Sequence, residues 1–98
     1  MAQFMALLRR DYDRFPEAAF TPELLDAEAE HARHLHTQGV SRMIWSRGDT
    51  PGAVVLIEAE SLDAALAGID SLPLRQKQML LIDMLVPLNP YRGFAPRG

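Results

Sequence analysis

The chain has 98 residues, of which 48% are apolar and 23% charged, with no cysteine and a formal net charge of −3. One core is what a chain of that length builds, and this balance of apolar and charged residues excludes a wholly disordered protein. The missing cysteines exclude disulfides, thiolate zinc sites and cysteine nucleophiles, and a pI near 5.5 argues against a nucleic-acid partner, which needs a basic face.

Apolar runs such as residues 53–57 are far too short to span a membrane. The opening Met1-Ala2-Gln3-Phe4 lacks the basic stretch and long apolar segment of a secretory signal. A single cytoplasmic domain over residues 1–98, without membrane contact, is the expectation.

Residues 2–10 read as a first strand, Phe4-Met5-Ala6-Leu7-Leu8 closed by two arginines, followed by a polar and aromatic loop over 11–16. Thr21 has the side-chain oxygen of a helix N-cap, Pro22 suits the first helical position and Glu23 complements the positive helix end. Gly39 marks the end of this helix. Residues 40–47 predict a second strand, the Gly48-Asp49-Thr50-Pro51-Gly52 cluster a turn, and residues 53–60 a third strand. Ser61 caps a second helix carrying Leu62, Ala65, Leu66 and Ile69 at helical spacing, and Leu72-Pro73-Leu74 stops it. Residues 79–88 read as the last strand, with Asp83 a charge inside it that needs a partner. Residues 89–98 hold too much Pro and Gly for regular structure, yet Tyr91 and Phe94 suggest a tail that packs against something.

The order βαββαβ is the ferredoxin-like pattern, an α+β fold with a four-stranded antiparallel sheet and two helices on one face. The other face of such a sheet is normally polar. Here Val54 and Leu56 alternate with Val55 and Ile57, and the first strand is apolar on both sides. Two helices cover one face only. A second copy of the sheet is the simplest cover for the other, which predicts a homodimer.

On the first helix, Leu24, Leu25, Ala29, Ala32 and Leu35 share one arc at about 100° per residue, and Glu28 falls near its middle. His31 lies at one edge of the arc and His36 on the other flank, while Asp26, Glu30, Arg33 and Thr37 share the solvated side. A carboxylate in an apolar layer is costly unless paired, and the same surroundings suit it to proton transfer; a structural ion pair is the alternative. Glu28-x-x-His31 resembles half of a carboxylate-bridged metal motif, but such sites draw ligands from more helices than this chain has, and no metal is expected. On the second strand Arg42 can pair with Glu28 or hold an anionic substrate, and Trp45 can floor a pocket. Strand alternation puts those two on opposite faces unless a bulge intervenes.

The series Glu28-x-Glu30, Leu35-x-x-x-Gly39-x-x-Arg42-x-x-Trp45, Ser61 and Leu72-Pro73-Leu74 resembles the muconolactone isomerase family over about half the chain. That resemblance implies a ferredoxin-like subunit in a dimeric α/β barrel, and a cofactor-free enzyme that moves a proton in a small carboxylate-bearing lactone. Glu28 is the acid/base candidate it leaves, with Arg42 as carboxylate or structural partner; Glu28 with His31 are the expected catalytic residues of this chain, and Arg42 with Trp45 the expected substrate-binding ones. Where the family carries Gly-x-Tyr-x-Asn after the tryptophan, this chain has Asp49-Thr50-Pro51-Gly52-Ala53, and Asn89-Pro90 stands where the family has His-Pro. Arg33-His34-Leu35 is similar to the YCII-like proteins, which share the architecture. Two alternatives stay open on this fold: a non-catalytic protein binding a small ligand, and a cofactor-free oxygenase.

Overall fold

A computed structural model describes residues 1–94 of the chain. Strands β1 (Ala2–Arg10), β2 (Ser41–Ser46), β3 (Gly52–Ala59) and β4 (Leu80–Leu88) form one antiparallel sheet in the order β2-β3-β1-β4. Helix α1 (Pro22–Thr37) joins β1 to β2, and α2 (Leu62–Asp70) with the single turn α3 (Pro73–Gln76) joins β3 to β4. The fold is α+β and compatible with the ferredoxin-like pattern. No helix among the described residues is long and apolar enough to cross a membrane.

The helix starts form as their side chains dictate. Thr21 Oγ1 accepts the Leu24 N–H at 3.2 Å, and Ser61 Oγ accepts that of Ala64 at 3.1 Å. Gly39, at φ +79°, turns the chain out of α1 in the left-handed conformation that a Cβ disfavours. Pro73 behaves differently from the expected stop. It ends nothing by itself, because α2 has closed at Asp70; with φ preset and no N–H to lose, it opens α3 instead. A short 3-10 turn over Arg92–Phe94 interrupts the tail read as irregular, and Tyr91 before it is 71% exposed. The Phe94 side chain lies outside the described residues.

Phe4, Ala6 and Leu8 of β1, with Val55, Ile57 and Ala59 of β3, are buried on the helix side against Ala65 and Ile69 of α2 and Leu74 of α3. Each large side chain there contributes about 1.5–3 kcal/mol of burial. Gly52 lets β3 close on β1 at the sheet's end: a Cβ at that position would sit 2.0 Å from the Leu8 carbonyl oxygen. In contrast to α2, helix α1 has no fully buried residue. Leu24, Leu25, Ala32 and Leu35 are half-buried, and Ala29, read as core-facing, is exposed. The helix stands off the sheet, and the space beneath it forms the cavity described below.

Strand pairing places Met5 and Leu7 (β1), Met43 and Trp45 (β2), Val54 and Leu56 (β3), and Met84, Val86 and Leu88 (β4) on the face away from the helices. Met43, Trp45 and Met84 are 49%, 45% and 50% exposed. Asp83 has the partners its position demanded. The register between β1 and β4 shifts between Leu7 and Leu8, leaving Asp83 unpaired in the ladder, and Arg9 Nε (3.0 Å) and Arg47 Nη1 (2.6 Å) donate to its carboxylate. Arg47 also donates to Asp49 through Nε (2.9 Å) and Nη2 (2.7 Å), which closes a charged cluster at one end of the apolar face. Those arginine contacts hold Asp49 down to about 2 and Asp83 below the usual carboxylate range, and they push Arg47 up.

Candidate functional site

Between α1 and the β2 edge of the sheet lies an open cavity of about 600 Å³. Leu8 from β1, Val55 from β3, Leu25 and Ala32 from α1, and Leu72 and Leu74 from the α2–α3 connection give it apolar walls. Ile44 of β2, on the helix-facing row opposite Val55, is 48% exposed at its mouth. Polar groups also reach this lining, among them Glu28 and His36 from the helix and Arg10 from the sheet.

Glu28 projects from α1 and is half-buried. Its Oε1 accepts the Leu74 N–H at 2.9 Å, one of the free donors at the start of α3. Among the described residues Oε2 has no protein donor. Burial pushes the carboxyl pKa up, and the Leu74 N–H and the positive charge of Arg10 offset that rise only in part. The ion-pair alternative is not what forms among the described residues, where no arginine, lysine or histidine stands within 4.0 Å of this carboxylate.

His31 is not among the residues lining this cavity. Its Nε2 meets Ser71 Oγ at 2.8 Å, and that hydroxyl donates to the Gly68 carbonyl at 2.6 Å, so the imidazole donates and ties α1 to the end of α2. The pairing with Glu28 drawn from sequence therefore does not form at the cavity. His36 takes that place. It lines the same space, and its Nδ1 donates to the Ser41 carbonyl at 2.9 Å, which leaves Nε2 as the basic nitrogen of the neutral ring. At about 1.5 Å rise per residue Glu28 and His36 lie about 12 Å apart along α1.

Arg42 and Trp45 both border the cavity, because β2 is an edge strand open to solvent on both sides. They share a face after all. The register shift between Ser41 and Met43 makes Arg42 a bulge residue; its Nε reaches Glu58 Oε2 at 3.7 Å, and Glu58 shares the face turned from the helices with Trp45. Arg42 is not joined to Glu28. Neither a protein-family model nor a curated protein matches the chain. The chemistry of the cavity therefore carries the functional reading.

The residue that sequence reasoning passed over is Arg10. Its signal lay in the alternation of β1: Phe4, Ala6 and Leu8 face the helices, and Arg10 follows in the same row, opposite Leu80. Among the described residues no three His, Asp or Glu side chains converge as metal ligands would.

Proposed function

We propose that the chain is a cofactor-independent proton-transfer enzyme, an isomerase acting on a small lactone or unsaturated carboxylic acid, with Glu28 as acid and base. The observation that carries this reading is one carboxyl group in a largely apolar cavity, anchored through Oε1 by the Leu74 N–H while Oε2 has no donor among the described residues. A base of raised pKa removes a weakly acidic C–H more readily. In the reaction the Glu28 carboxylate takes a proton from the carbon next to the carbonyl. The electron pair spreads into a dienolate, and the same proton is returned at the far carbon, so the double bond moves with no net gain or loss of atoms. The resemblance to the muconolactone isomerase family supports the same reaction class.

The homodimer and the cytoplasmic setting belong to the same proposal. Four strands about 4.8 Å apart and about seven residues long cover roughly 19 by 23 Å. That is roughly 400 Å² in projection on each copy, about half of the roughly 800 Å² per partner of a standard interface. The apolar residues of the uncovered face give such an interface its core.

Proton exchange tests the activity directly. Small lactones and unsaturated acids incubated with the protein in deuterium oxide should gain deuterium at the reacting carbons, and Glu28→Gln should slow that exchange by about 10²–10⁴-fold. Binding without exchange would leave a non-catalytic ligand-binding protein. Exchange unchanged by Glu28→Gln would remove Glu28 from the chemistry.

A further inference from the structure

Among the described residues three arginines line the cavity, and two of them already face a carboxylate. Arg33 Nη2 stands 2.7 Å from Glu30 Oε2, and Arg42 Nε stands 3.7 Å from Glu58 Oε2. Arg10 has no carboxylate within 4.0 Å among the described residues, although it is only partly exposed. It is nevertheless held in place. Its Nη1 donates to Tyr12 Oη at 3.1 Å, and its guanidinium carbon lies 5.4 Å from the centre of the Phe20 ring. Phe20 is in turn fixed edge-on against Tyr12, with ring centres 5.1 Å apart. Phenol and ring support orient the cation without cancelling its charge, and most of its N–H donors stay uncommitted.

We infer that Arg10 is the anion-binding group of the cavity, and that the ligand it takes is a small monocarboxylate whose apolar body rests on Leu8, Leu25, Val55 and Leu74. A guanidinium presents two parallel N–H donors that match one carboxylate. The class follows from what surrounds the cation. One arginine suits a singly charged group, whereas a phosphate dianion would bring two charges into a cavity that already holds the Glu28 carboxyl. The apolar walls exclude a ligand that is polar throughout, and about 600 Å³ fits a small molecule rather than a peptide. The binding claim stands without catalysis. Its deeper consequence rests on the proton-transfer reading: a carboxylate on Arg10 places the ligand's body across the cavity toward Glu28.

Sorbate, a small unsaturated carboxylate, and its uncharged amide are the probes, titrated into the full chain by calorimetry and by amide-resolved NMR. Sorbate should bind about ten- to a hundredfold more tightly than the amide, the worth of a charge-assisted hydrogen-bonded contact. Arg10→Gln should erase that preference, Arg10→Lys should keep part of it, and Arg33→Gln should leave it whole. Equal affinity for acid and amide, a preference that survives Arg10→Gln, or binding of neither probe at millimolar concentration would overturn the inference. If Arg10→Gln does not fold, the Arg10 Nε–H resonance of the unmodified protein decides: it should shift with sorbate and stay still with the amide. Glu28→Gln should keep the sorbate preference while losing exchange, so failure of the anion site and failure of the proton-transfer reading appear in different measurements.

Discussion

Replacing Glu28 by Gln separates a working carboxyl from a structural one on stability as well as on rate. The amide has the shape of the acid, and its oxygen can still accept the Leu74 N–H now held at 2.9 Å. What changes is the charge: a charge-assisted hydrogen bond becomes a neutral one, while the burial cost of the carboxylate disappears. These oppose each other, so Glu28→Gln should move stability by no more than about 1 kcal/mol at neutral pH. Glu28→Ala leaves the Leu74 N–H without its acceptor, at about 1–3 kcal/mol. At about 4–8 °C per kcal/mol for a domain of this size, that loss is easily read in a melting curve. The pH dependence has a definite sign. Because burial raises the folded-state pKa above 4.5, the stability owed to Glu28 is fully present below that value and is lost as pH rises through the folded pKa. The melting temperature of Glu28→Gln should therefore gain on the parent protein between about pH 4 and neutrality. Thermal melts of the three proteins across that range, with an NMR titration of the carboxyl, make the measurement. A Gln variant destabilised by the roughly 3–5 kcal/mol of a broken buried ion pair, or a carboxyl titrating at or below 4.5, would refute this account of the site.

Light scattering at micromolar concentration should find a dimer, and Trp45→Glu combined with Met84→Glu should give a folded monomer by placing charge on the uncovered sheet face; an unchanged mass would put the interface elsewhere. The Arg9, Arg47, Asp49 and Asp83 cluster predicts acid sensitivity. With Asp49 held at about 2 and Asp83 also lowered, its contribution is present above the unfolded value of 3.8 and is lost as pH falls through the folded values. Arg47→Gln should flatten the acid limb of a stability–pH profile. Gly52→Ala forces a Cβ into the Leu8 carbonyl oxygen, so denaturant unfolding should show a loss of at least about 2 kcal/mol, the range of overpacking at a site that cannot yield. A loss below half that would mean that β1 and β3 separate there without strain.

Much of this was legible in the linear chain because the signals are local. The Thr21 and Ser61 caps, the Gly39 terminus, the period-two alternation of β1 and β3 and the resulting βαββαβ order depend on neighbours a few residues away. So did the prediction that Glu28 falls within the apolar arc of α1. The rest required the tertiary structure. Periodicity places His31 and His36 on opposite flanks of the arc, but only the position of α2 and its Ser71 decides that His31 is tied down while His36 borders the cavity. Whether Arg42 meets Glu28 turned on a register shift in β2 that no pattern in Ser41–Ser46 announces. Pro73 could end a helix or begin one, and the early close of α2 chose the second, supplying the N–H that anchors Glu28. Arg10 stood in plain alternation with Phe4, Ala6 and Leu8, yet that no carboxylate of the described residues lies within 4.0 Å of it emerges only once the elements are assembled. Local geometry is fixed by a residue's own dihedrals and its near neighbours, whereas burial, charge pairing and empty space are properties of elements brought together from distant parts of the chain.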